Sequence, residues 1–221
     1  MKILCLHGRR QSGVTLAKKL FDSSVCQLEK SKGKRDLIVK CGGHEFIFID
    51  GPHVAKADLP KLARARHVAC DMYSWWSDEE DDGTKAIGAI HEAKETHGDI
   101  EGLLGFSQGG ALAASFCRSS SSWQPKFSVF LSAYYFDGFP LPTLLKPTQD
   151  DLPSGNIRSI HVWGEKDQVV IPAKSRKLCD WMKGESITIH GGHAAPSPPW
   201  TSEVLMKWLV DTPTASSRNV V

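Results

Sequence analysis

Short apolar runs alternate along this chain with longer amphipathic stretches, the pattern expected of βαβ units around a mostly parallel sheet. Ile3–Leu6 reads as a buried first strand ending at His7-Gly8, and Val14–Phe21 as the helix after it. Glu45–Ile49 is a second strand, closed by Asp50-Gly51-Pro52-His53. Thr84–His97 carries Ala86, Ile87, Ile90 and Ala93 at helical spacing. Gly102–Phe106 predicts a strand that runs straight into Ser107, followed by an Ala-rich helix over Gly109–Cys117. Phe127–Leu131 and Ser159–Trp163 are further strands, and Pro172 suits the first position of a helix over Pro172–Met182. Ile187–Ile189 is a short strand and Trp200–Val210 a closing helix. Two stretches match no regular element: Asp71–Gly83, with Trp75-Trp76 ahead of the acidic run Asp78–Asp82, and the aromatic- and proline-rich Ala133–Asn156. Loops this long inside a compact domain read as lids or binding loops. With no repeat and no interdomain linker, residues 1–210 are expected to form one domain of α/β class, and 211–221 a frayed tail.

Composition narrows the classes without choosing among them. A chain of 221 residues buries enough apolar surface to fold without disulfides or structural metals. The net charge of +2 is dispersed, with no basic stripe, so no nucleic-acid partner is expected. Cys5, Cys26, Cys41, Cys70, Cys117 and Cys179 are scattered, without metal-binding spacing, which suits buried thiols in a reducing compartment. The opening apolar run is too short for a signal-peptide core, and no segment is long enough to span a bilayer. A cytoplasmic protein is expected, as a monomer or a homodimer.

The chemistry lies in Gly105-Phe106-Ser107-Gln108-Gly109, a G-x-S-x-G pattern between a strand and a helix. Small residues two before and two after the serine let strand and helix pass closely and leave Oγ exposed above the sheet. This reads as the nucleophile elbow of an α/β-hydrolase fold, with no large cap domain expected. A serine hydroxyl needs a base, and the base an orienting carboxylate, in the chain order Ser, Asp/Glu, His. Of the three later histidines, His161 lies within a predicted strand and His190 ends one, whereas His193 follows Gly191-Gly192 just before the last helix. His193 is therefore the candidate base; a metal reading of His190-x-x-His193 lacks a third ligand nearby, and no metal or organic cofactor is expected. Asp167 stands in Trp163-Gly164-Glu165-Lys166-Asp167, between a strand and a helix, and is the candidate acid, with Glu165 its local competitor. An oxyanion hole would use the backbone N–H of Gln108 and of Arg9 in the loop after the first strand, with Arg10 as the alternative. The side chains of Arg9 and Arg10 otherwise read as solvated surface charges.

Further motifs line up with one family. His7-Gly8-Arg9-Arg10-Gln11-Ser12-Gly13 resembles the H-G-x-x-Q-x-G opening of the family of serine hydrolases, the eukaryotic group that includes the ovarian tumour suppressor candidate 2 protein. Phe48-Ile49-Asp50-Gly51-Pro52-His53, Trp75-Trp76, Gly105–Gly110, the G-x-x-D loop ending at Asp167 and Gly191-Gly192-His193 resemble that family's other motifs, in the same order. The resemblance implies a Ser107-Asp167-His193 triad and carboxylesterase activity on acyl or alkyl esters, with thioesters plausible for some members. Gly51, Arg9 and Ser12 depart from the family's usual residues. Trp75, Trp76, Tyr134, Tyr135 and Phe136 are candidates to line an acyl groove, with core packing as the alternative. Three functions follow: a carboxylesterase, an acyl-thioesterase or depalmitoylase-like enzyme, and a hydrolase-fold protein that binds a ligand or serves as a scaffold without turnover.

Overall fold

A computed structural model describes residues 1–22, 26–30, 36–54, 72–77, 81–136, 141–148, 150–155 and 157–211. Cys70, residues 78–80 of the acidic run and tail residues 212–221 lie outside the described residues. In chain order the strands are β1 (Lys2–Leu6), β2 (Gln27–Lys30), β3 (Leu37–Cys41), β4 (His44–Ile49), β5 (His53–Val54), β6 (Tyr73–Ser74), β7 (Ile100–Phe106), β8 (Phe127–Leu131), β9 (Arg158–Gly164) and β10 (Glu185–Ile189). The helices are α1 (Gly13–Leu20), α2 (Thr84–His97), α3 (Gln108–Ser115), α4 (Pro172–Met182) and a closing helix, α5. The last is built from Pro198–Trp200, a π-turn over Thr201–Leu205, and Met206–Val210.

Among the described residues the main sheet has eight strands in the order β10-β9-β8-β7-β1-β4-β3-β2. From β10 through β4 all neighbours run parallel; β3 and β2 are antiparallel additions at one edge. The central parallel strands β1, β7 and β8 are near-continuous apolar runs because both faces are covered, whereas β10 at the edge is largely exposed. Side-chain alternation sorts each strand between two cores. Leu4, Leu6, Ile47, Ile49, Leu103 and Phe130 face α2, α3 and α4, which contribute Ala86, Ile90, Ala111–Ala114 and Leu178. Ile3, Cys5, Phe46, Phe48, Leu104, Phe106 and Val129 face α1 and α5 through Leu16, Leu20, Trp208 and Leu209. The chain leaves β1 toward β4 on one side and returns on the other at β7. That reversal opens a crevice at the carboxyl ends of β1 and β7.

The predicted strands and helices are present with ends shifted by a few residues, and an edge hairpin is added. Leu37–Cys41 pairs with β4 through a two-residue turn at Gly42 (φ 58°) and Gly43 (φ 76°), a left-handed pair that glycine allows without strain. The Asp71–Gly83 stretch also contains a strand, since Tyr73–Ser74 pairs with His53–Val54 in a small second sheet. Among its described residues, Ala133–Asn156 holds one short 3-10 turn, Thr143–Leu145. Among the described residues no helix is long and apolar enough to cross a membrane.

Candidate active site

β7 delivers Ser107 to a turn with φ 52° and ψ −114°, a conformation that costs a non-glycine residue energy and that the surroundings must impose. They impose it by close packing. A Cβ on Gly105 would lie 2.5 Å from the Gly109 carbonyl oxygen, and one on Gly109 would overlap the carbonyl oxygens of Leu6 and His7. Strand, turn and helix therefore touch backbone to backbone. Ser107 N–H donates to Leu131 O on β8 (3.0 Å), and Ser107 O accepts from Ala111 N to start α3. Gln108 is the first residue of α3, where an N–H has no intrahelical acceptor and the helix dipole favours negative charge.

His193 Nε2 lies 3.0 Å from Ser107 Oγ, and its Nδ1 lies 2.8 Å from Asp167 Oδ2. A carboxylate only accepts hydrogen bonds, so Nδ1 carries the ring proton and Nε2 is left to accept from the serine hydroxyl. The Asp167 side chain is fully buried, and its other oxygen, Oδ1, accepts from the N–H groups of Val169 and Val170, both at 2.9 Å. The loops carrying acid and base are themselves joined. Glu165 N donates to Ile189 O and Lys166 N to Gly191 O. Gly164 permits this because a Cβ there would meet the carbonyl oxygens of Gly191 and Gly192. The competing residues pair elsewhere: Glu165 Oε1 meets Nδ1 of His190, which is 78% exposed. His161 is buried against Phe130 with Nε2 3.0 Å from Ser159 Oγ, and burial lowers its pKa to about 3.

The loop after β1 forms the opposite wall. Gln11 pairs with Tyr73 through two backbone hydrogen bonds, and Arg10, at φ 55°, gives its N–H to Ser74 Oγ at 3.2 Å. That bond occupies the alternative oxyanion donor. A cleft of about 220 Å³ lies between the walls, lined by Gly8, Arg9, Gln11, Trp76, Phe106, Ser107, Gln108, Tyr134, Val169 and His193.

The model of the serine hydrolase (FSH1) family matches residues 1–203. The chain belongs to that family. Among curated relatives of this FSH1-family chain, the esterase C25G4.2 of Caenorhabditis elegans is 30% identical over 89% of this chain and 87% of its own. The esterase CG5412 of Drosophila melanogaster is 27% identical over 96% of this chain and 74% of its own. Similar solved structures include a Bacillus cereus carboxylesterase, with TM-score 0.59 at 15% identity over 96% of this chain and 88% of that one. Zea mays acyl-protein thioesterase 2 superposes with TM-score 0.54 at 18% identity over 95% and 92%. At those identities the structures establish the α/β-hydrolase fold. The chain is thus a serine hydrolase of the esterase group.

Ser107, Asp167 and His193 come together in this FSH1-family site, with Arg9 and Gln108 beside the serine. The five aromatics divide. Trp76 and Tyr134 line the cleft, while Trp75 and Tyr135 are fully buried and Phe136 packs on Tyr135 and Trp181, away from the cleft. Trp75, Tyr135 and Phe136 thus fit the packing alternative. Three contributions escaped the sequence reading. The Gln108 side chain accepts from Trp75 N (3.0 Å) and donates to Trp76 O (3.2 Å). Val169 forms part of the cleft wall, and Asp50 Oδ1 accepts from Gly13 N at the start of α1 (2.8 Å). The D-G-P-H motif flagged Asp50, but nothing in the sequence ties the Gln108 amide to a tryptophan pair 33 residues earlier.

Proposed function

We propose that this FSH1-family hydrolase is a carboxylesterase that works through a Ser107 acyl-enzyme, with His193 as base, Asp167 as its orienting acid, and the Arg9 and Gln108 amides as oxyanion hole. The observation that carries this reading is the continuous relay from Asp167 through His193 to Ser107, at 2.8 and 3.0 Å, placed on a strained elbow. His193 Nε2 takes the Ser107 proton as Oγ attacks the ester carbonyl. The tetrahedral oxygen then lies toward the α3 N-terminus and the Gly8-Arg9 loop, where each donor is worth about 3 kcal/mol in the transition state. His193 returns the proton to the leaving alkoxide, and water activated by the same ring releases the acid. A thioester enters the same sequence with a better leaving group. The small cleft, with Trp76, Tyr134 and Val169 on its wall, suits short or medium acyl chains.

A fluorophosphonate probe tests the reading, because it labels only an activated serine. Wild type is expected to label stoichiometrically and Ser107→Ala not at all; equal labelling of the variant would move the nucleophile elsewhere. A p-nitrophenyl ester series run beside matching acyl thioesters should show butyrate and hexanoate turned over faster than palmitate.

A further inference from the structure

The W-W motif has one tryptophan in the cleft wall and one outside it. Trp75 is fully buried, yet it donates two hydrogen bonds. Its indole N–H donates to His7 O at 2.8 Å, and its backbone N–H donates to Gln108 Oε1 at 3.0 Å. The Gln108 amide also holds the carbonyl of the next residue, Trp76. The Trp75 ring lies 5.1 Å from the His7 ring, tilted by 30°.

His7 is fully buried as well, and its two ring nitrogens have fixed roles. Gly51 N–H donates to Nε2 at 2.9 Å, so Nδ1 must carry the proton, and it reaches Gly8 O at 2.7 Å. Burial keeps the ring neutral by lowering its pKa to about 4, which preserves this donor–acceptor split. The Gly8 carbonyl belongs to the same peptide unit as the Arg9 N–H. In a trans peptide the two point in opposite directions. A carbonyl drawn inward to a buried imidazole therefore turns the Arg9 N–H outward, toward the cleft that Arg9 lines. The His7 carbonyl is held from two sides, by the Trp75 indole and by Gly109, whose Cα sits so close that a Cβ would lie 2.5 Å from that oxygen. Oxyanion loop, tryptophan loop and elbow thus meet at one residue.

We propose that His7, braced by Trp75, is the positioning residue of the oxyanion hole: it fixes the Gly8–Arg9 peptide plane so that its N–H faces the reacting carbonyl before substrate arrives. The proposal rests on the reading of Arg9 N–H as an oxyanion donor. A peptide free to rotate would lose that donor for part of the time, and the loss would fall on the transition state rather than on substrate binding.

The test compares His7→Phe, His7→Asn and Trp75→Phe with wild type. Asparagine keeps an N–H donor near the Nδ1 position, whereas phenylalanine keeps only shape; Trp75→Phe deletes the indole N–H and keeps a smaller aromatic ring. His7→Phe is expected to lower kcat about 10²-fold, the scale of one lost oxyanion donor, with KM within about threefold. The rate of fluorophosphonate labelling should fall in parallel. His7→Asn should recover much of the loss, and Trp75→Phe, assayed well below its own Tm, should lower kcat about tenfold. Unchanged kcat in folded His7→Phe, or a loss carried by KM, overturns the proposal. If His7→Phe does not fold, Trp75→Phe and His7→Asn decide: wild-type kcat in the former, or an uncorrected defect in the latter at normal Tm, overturns it equally. Failure here with Ser107 still labelled leaves the esterase reading intact, whereas labelling of Ser107→Ala strikes that reading itself.

Discussion

Asp167 is the residue whose environment speaks most directly about chemistry. Its carboxylate has no contact with solvent, and three hydrogen bonds occupy it: two backbone N–H groups on Oδ1 and His193 Nδ1 on Oδ2. An amide in its place keeps the shape but offers an N–H where an acceptor is needed, and it favours the imidazole tautomer with Nε2 protonated. Asp167→Asn is therefore expected to lower kcat by roughly 10³- to 10⁴-fold with little change in Tm, measured on a p-nitrophenyl ester beside thermal unfolding. Glu165→Gln is the matching control: its partner is the exposed His190, and the exchange should leave kcat within about twofold. The sequence distinguished these two acids by offset in the loop, and the site's three principal residues were legible from order and spacing alone. The contacts proposed to brace the loop were not, because they span the chain: the Trp75 indole reaches a carbonyl 68 residues earlier, and Gly51 N–H reaches the His7 ring from 44 residues later. A tryptophan that lines a groove and one that anchors a loop leave the same mark in a sequence.

At the scale of elements, α2 and α3 show the same residue type under opposite constraints. Gly88 is exposed in the middle of α2, and a Cβ there meets nothing within 4 Å. Gly88→Ala should stabilise the fold by about 0.5–1 kcal/mol, read as a higher urea midpoint at unchanged slope. Gly109 stands in the first turn of α3 against the carbonyls of Leu6 and His7, which are backbone and cannot turn aside. Gly109→Ala should cost about 1–3 kcal/mol and, because it pries α3 from β1, slow acylation as well. A Gly109→Ala protein with wild-type stability and kcat would mean that the elbow is less rigid than its packing implies. Elements were legible where both faces of a strand are buried, since β1, β7 and β8 are near-continuous apolar runs. The edge hairpin was passed over although its signal was present: Gly42-Gly43 joins two apolar runs, the left-handed pair a tight hairpin needs. β5 and β6 carry no such signal, because two-residue strands derive their pairing from the surrounding fold.

For the molecule as a whole, the buried histidines set how stability depends on pH. His7 and His161 lie in the interior, where burial lowers their pKa from the usual 6.5 to about 4 and about 3. Once unfolded, both rings bind protons below pH 6.5; in the native state they stay neutral. Between pH 6.5 and 5 the unfolded chain therefore holds more protons, and stability falls as the solution is acidified. The slope approaches about 1.4 kcal/mol per pH unit for each histidine. That window lies above the usual range of carboxylate titration, which leaves the histidines as the main source of the slope. His161 offers the cleaner separation, since it stacks on Phe130 away from the cleft and its Nε2 meets Ser159 Oγ. His161→Phe removes one titrating ring while keeping the stack, and should reduce the slope of unfolding free energy against pH over that window, leaving the share of His7 and of the half-buried His44, whose pKa burial also lowers. An equal slope in wild type and variant would place the acid sensitivity elsewhere. The other buried ring, His7, stays neutral in the folded protein through this window, so the Nε2 acceptor that Gly51 N–H requires, and with it the oxyanion loop, is expected to hold until the pH nears 4.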